Sequence, residues 1–107
     1  MKEKTNLIKR VLLVFFLIFI FIFQILPIRS SSQIIGLDKI IHFIFYFVLM
    51  FLFSVNNFSL KRAFFYSFLY GILMEIVQIP VPTRSCSFYD LLANLGGILT
   101  FLIIKTI

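Results

Sequence analysis

The chain has no tryptophan, three prolines, four glycines, four acidic residues and one cysteine, Cys86. A single cysteine excludes an internal disulfide, and the paired Cys or Cys/His spacings of zinc sites are absent, so neither a metal nor any other cofactor is expected. Charge is scarce as well, at 13% of 107 residues against 62% hydrophobic and a mean hydropathy of +1.12. A soluble domain carries about 25% charged residues, so this chain cannot clothe itself in polar surface. The ten basic residues give a net charge of +6, yet they sit between apolar runs and form no single basic face, which argues against a nucleic-acid partner. No Gly/Ser linker, charge block or repeat divides the chain, and one domain over residues 1–107 is expected.

What is present is a series of long apolar runs. Val11 to Ile28 is apolar except for Gln24, and with its flank from Ile8 it is long enough to cross a bilayer as a helix. The basic start Lys2, Lys4, Lys9 and Arg10 also suits a signal peptide. The run exceeds the usual ~7–15 residues, however, and Arg29-Ser30-Ser31-Ser32 is a poor cleavage site, so the segment is expected to be retained. A second run, Ile40 to Val55, is entered through Asp38 and Lys39 and closed by the turn-forming pair Asn56-Asn57. Ala63 to Ile79 is the third, ended by Pro80 and Pro82, and Phe88 to Ile104 is the fourth. None alternates polar and apolar residues as a membrane strand does. The fold expected is an all-α integral membrane bundle of four transmembrane helices, near residues 8–28, 38–55, 62–79 and 88–105, its partner the lipid bilayer.

Basic residues collect on the cytoplasmic side of membrane proteins. Lys2, Lys4, Lys9 and Arg10 precede the first run, Lys61 and Arg62 lie between the second and third, and Lys105 follows the fourth; only Arg29, Lys39 and Arg84 fall on the other side. Both termini are therefore expected in the cytoplasm of a bacterial cell, in a multi-pass protein of its plasma membrane.

Polar side chains are costly inside a bilayer, so their positions carry the functional information. Gln24, His42, Glu75, Gln78, Asp90 and Asn94 all fall at the extracytoplasmic ends of their runs, roughly 3–10 Å deep at about 1.5 Å per residue. Asp38, His42 and Tyr46 share one helical face. Ser67, Gly71, Glu75 and Gln78 share another, and Asp90, Asn94 and Gly97 a third. Gly71, Ala93 and Gly97 would let backbones approach and turn these stripes inward. The first run has no such stripe and is expected at the edge of the bundle.

Three segments resemble those of the VanZ-like family of bacterial membrane proteins. Asp38-Lys39-Ile40-Ile41-His42-Phe43-Ile44-Phe45-Tyr46 is similar to the family's D-K-x-x-H-F-x-x-Y, Glu75-Ile76-Val77-Gln78 to its E-x-x-Q, and Arg84 to Gly97 to its R-x-x-S-x-x-D-x-x-A-N-x-x-G. The resemblance covers Asp38 to Gly97. A further glycine common in such sequences is replaced here by Phe101. Within the family, VanZ itself is associated with low-level resistance to the glycopeptide teicoplanin, and the resemblance implies a role at the cell envelope linked to such resistance.

Each residue also has a plainer reading. Asp38 could cap its helix with Lys39 anchored at the headgroups, and Ser87 with Asp90 fits a capping pattern. His42 lies one turn from Asp38, which could orient it. Glu75 needs a partner, for which Arg84 is the candidate, although a guanidinium equally suits a phosphate or carboxylate ligand. Metal binding by His42, Asp38, Glu75 and Asp90 is chemically feasible but lacks a ligand motif. Two functions stay open. In the first, Asp38, His42, Tyr46, Glu75, Gln78, Arg84, Asp90 and Asn94 bind an envelope component such as an anionic lipid-linked precursor. In the second, His42 or Glu75 performs acid–base catalysis on a lipid-linked substrate, with Asp38 supporting His42. A transporter is disfavoured, since no inverted repeat is visible. The sequence does not address oligomeric state.

Overall fold

The structure is a computed structural model that describes residues 2–25, 37–78 and 88–106. These form four helices, α1 (Lys2–Ile25), α2 (Leu37–Val55), α3 (Leu60–Gln78) and α4 (Phe88–Thr106). There is no strand among the described residues. α1 starts about two turns before the expected boundary, because Lys, Glu and Arg are good helix formers and no Gly or Pro interrupts the segment from Lys2 to Ile25.

Two helical segments, Glu3–Gln24 and Tyr89–Thr106, are long and apolar enough to cross a membrane, and Lys39–Val55 is a shorter apolar helix. α3 is not among them, since Lys61, Arg62 and Glu75 dilute its hydropathy. Much apolar surface faces outward: Phe15, Ile18, Ile44, Phe65, Ile76 and Ile103 are each more than half exposed. The interior is a thin seam that includes Ile20, Tyr46, Leu49, Met50, Met74 and Ile98, with Phe53 and Phe101 at its margins.

The turn joining α2 to α3 follows directly from its residues. Asn57 has φ of 70°, the left-handed conformation that asparagine tolerates better than most. The amide of Phe58 donates to the carbonyl of Phe53 at 3.1 Å and that of Asn57 to Ser54 at 3.1 Å, which together make a Schellman ending. The hydrophobic contact that accompanies this motif is present too, with the Phe53 and Phe58 rings 5.0 Å apart. Ser59 then opens α3 as its N-cap, its hydroxyl accepting from the amide of Arg62 at 3.2 Å. Asn56 ties the first helix to this turn by donating to the carbonyls of Lys9 at 3.0 Å and Leu52 at 2.8 Å.

Among the described residues, α2 and α4 form the most extensive helix pair, whereas α1 packs on α2 and α3 and not on α4. The reason is Gly97. A Cβ built there would lie 2.2 Å from the Phe43 carbonyl oxygen and 3.0 Å from the Phe47 amide nitrogen, so the two backbones touch where a side chain is absent. One turn on, Phe101 fills the space beside this contact. It is 6% exposed and meets the rings of Phe47 and Phe51 edge-on at 5.5 and 6.5 Å. A phenylalanine is thus accommodated one turn beyond the glycine contact.

α1 lies at the edge, as its uniform apolar surface predicts. Phe45 of α2 meets Phe16, Phe19 and Phe23 of α1 edge-on, with centroids 6.0, 5.7 and 5.2 Å away. The Tyr70 hydroxyl of α3 donates to the Leu17 carbonyl.

Candidate functional site

Among the described residues of this apolar bundle six polar side chains are buried: Gln24, His42, Ser67, Glu75, Asp90 and Asn94. Except for Ser67 they fall at one end, since Gln24 and Glu75 approach the C-terminal ends of α1 and α3, and His42, Asp90 and Asn94 the N-terminal ends of α2 and α4.

The close approach of α2 and α4 at Gly97 sets the geometry. His42 Nδ1 and Asn94 Oδ1 are 3.0 Å apart. An amide oxygen can only accept, so His42 donates from Nδ1. Its other nitrogen, Nε2, faces Asp90 Oδ2 at 3.9 Å, beyond direct hydrogen-bond length. Asp90 in turn holds Lys39 Nζ at 2.7 Å through Oδ1. Lys39, Asp90, His42 and Asn94 therefore form one line from the helix ends into the interior. A buried carboxylate without compensation is costly, and Lys39 supplies the opposite charge while its own side chain stays 38% exposed.

Tyr46, one turn beyond His42, is fully buried and lies within electrostatic reach of Glu75. Gly71 makes room where α3 meets this pair. A Cβ there would stand 3.2 Å from Asn94 Nδ2 and 3.4 Å from Tyr46 Cε2. Two buried polar atoms at this junction, Tyr46 Oη and Asn94 Nδ2, make no hydrogen bond among the described residues, nor does Ser67 Oγ, one turn before Gly71 on α3. Buried polar groups in native proteins are normally satisfied by protein, water or ligand.

The structure thus brings together His42, Tyr46, Asp90 and Asn94, with Glu75 beside Tyr46. Asp38 and Gln78 lie on α2 and α3, but their side chains fall outside the described residues, as does all of Arg84 and Ser87. The expected Asp38–His42 and Glu75–Arg84 pairings and the Ser87 cap accordingly lie outside the described set. The described neighbours of His42 are Asn94 and Asp90. Sequence reasoning took Lys39 for a headgroup anchor and missed it as the counter-ion of Asp90. A signal existed, because Lys39 and His42 are three residues apart and share a helix face. Ser67 and Gln24 were noted for position but not placed in the site; both are buried. No three His, Cys, Asp or Glu side chains gather in a metal-binding group among the described residues.

Comparison with curated proteins and with solved structures gives no match. A family model, VanZ/LLP1, matches residues 2–107. The match takes in α1, which the three motifs do not reach. The chain belongs to the VanZ/LLP1 family.

Proposed function

We propose that the protein is a multi-pass protein of the bacterial plasma membrane, with four spans and both termini cytoplasmic. Its buried polar cluster would open to the extracytoplasmic face and recognise an envelope component, an anionic lipid-linked precursor, and through family membership its role would be linked to glycopeptide resistance. The observation that carries this reading is the junction of α2, α3 and α4. There an otherwise apolar bundle commits His42, Tyr46, Glu75, Asp90 and Asn94 to its interior and leaves hydrogen-bonding atoms of Tyr46 and Asn94 for a guest. Arg84, on the same side by sequence, is the cation that would meet the anion.

Cells expressing the wild type should tolerate teicoplanin better than cells lacking the protein. Arg84→Ala should remove most of that difference, while Glu75→Gln and His42→Asn keep it. An Arg84→Ala variant as protective as wild type at equal membrane levels would refute recognition by charge. For topology, a reporter active only outside the membrane is fused after Thr83 and should be active; inactivity reverses the orientation.

A second reading, a membrane-embedded enzyme, is favoured by one specific feature. His42 Nδ1 donates to Asn94 Oδ1 while Nε2 lies 3.9 Å from Asp90 Oδ2, so an imidazole and a carboxylate, the side chains of general acid–base chemistry, stand side by side in the interior. In that case Glu75→Gln and His42→Asn abolish function at unchanged protein level, and an unprocessed envelope precursor accumulates.

A further inference from the structure

A groove of about 470 Å³ runs along the outside of the bundle between α1 and α3. Its α3 wall is the stripe Arg62, Tyr66, Leu69 and Leu73, spaced to lie on one helical face, and Leu17 forms the opposite wall. Tyr66, Leu69 and Leu73 are 43–51% exposed. The Tyr70 hydroxyl, donating to the Leu17 carbonyl, joins the two walls. Only the Arg62 end is charged. The guanidinium lies over the Phe58 ring at 5.1 Å, and no carboxylate among the described residues pairs with it.

Length identifies the occupant. From Arg62 to Leu73 is eleven residues, about 16 Å of helix, which matches the roughly 15 Å hydrocarbon depth of one leaflet. An apolar trough of one leaflet's depth with a single cation at its mouth has the dimensions of an acyl chain under an anionic headgroup. A second groove, by Lys61 between α3 and α4, follows α3 only from Leu60 to Phe64, about 6 Å, too short for a chain. We propose that the α1–α3 groove is a binding site for an anionic phospholipid of the cytoplasmic leaflet, with an acyl chain along Tyr66, Leu69 and Leu73 and its phosphate on Arg62. The inference rests on the membrane reading above but is independent of any function of the His42 cluster.

The natural absence of tryptophan gives a test without background. Full-length Leu69→Trp carries its reporter in the groove, and Phe15→Trp carries one on the outward face of α1, at similar depth. Each is reconstituted in vesicles of phosphatidylcholine mixed with phosphatidylglycerol, with one or the other lipid brominated in its acyl chains, and fluorescence quenching is measured. At Leu69→Trp, brominated phosphatidylglycerol should be favoured about fivefold over brominated phosphatidylcholine, the worth of one cation near an anionic surface. At Phe15→Trp the preference should be near unity, and adding Arg62→Gln to Leu69→Trp should abolish its preference. Equal preference at both positions, or a preference that survives Arg62→Gln, overturns the site. Quenching at Phe15→Trp with none at Leu69→Trp also overturns it, by showing the groove covered by protein such as a second copy. If neither position is quenched and the protein does not float with the vesicles, the membrane reading itself fails.

Discussion

Replacing Gly97 by alanine perturbs the contact on which the candidate site depends. The added methyl would sit 2.2 Å from the Phe43 carbonyl oxygen, and a relaxed carbon–oxygen approach is about 3.3–3.6 Å, so α2 and α4 must part by about 1 Å. Phe43 follows His42 directly and Gly97 lies one turn from Asn94. The same displacement stretches the 3.0 Å His42–Asn94 bond to about 4 Å, beyond hydrogen-bond range. Overpacking costs about 1–3 kcal/mol and an interhelical hydrogen bond in a membrane about 0.6. The sum is about 1.5–3.5 kcal/mol, or roughly 10- to 400-fold in the unfolding constant. Alanine also gains about 0.8–1 kcal/mol in helix propensity, and Gly96→Ala corrects for that gain. At Gly96 a Cβ meets only the edge of the Phe43 ring, at 3.3 Å, and a side chain can turn aside where a backbone cannot. Reversible unfolding by SDS in mixed micelles, followed by far-UV circular dichroism, should therefore rank Gly97→Ala below Gly96→Ala by about 1–3 kcal/mol. The histidine Nδ1–H resonance in nitrogen-15 spectra should shift or vanish only in Gly97→Ala. Equal stability of the two variants, or an unchanged His42 signal in Gly97→Ala, would refute the close-approach argument.

Asn56→Ala removes both bonds from its amide, to Lys9 and Leu52, and should cost about 1–3 kcal/mol in the same unfolding assay; it should also speed proteolysis or hydrogen exchange around Lys9, where α1 is tied to the turn. At Asn57 the positive φ makes opposite predictions for two substitutions. Asn57→Gly should be neutral or slightly stabilising, whereas Asn57→Val should destabilise by about 1–2 kcal/mol, and a valine variant of wild-type stability would contradict the left-handed turn.

Several features of the fold were legible because they are local. Four apolar stretches, the Asn56-Asn57 turn and the edge position of the uniformly apolar first segment follow from hydropathy and turn chemistry within single segments. The start of α1 was not legible from hydropathy, since Lys2 to Arg10 is polar yet helical; an apolar run marks where a helix can be buried, not where its hydrogen bonds begin. The candidate site divides in the same way. Helical spacing alone put His42 with Tyr46, and Asp90 with Asn94, on common faces.

The sequence by itself determined that the chain is helical, that its few polar side chains collect towards one end, and that three of its segments resemble those of the VanZ-like family. Only the tertiary structure decided which of these side chains meet. The parallel register of α2 and α4, locked where Gly97 admits the Phe43 backbone, puts Asn94 on His42 and turns Lys39 from a surface anchor into the counter-ion of Asp90. Periodicity fixes angles around one helix axis, whereas the axial offset between two helices is set by contacts between residues some fifty positions apart, which no spacing within either helix encodes.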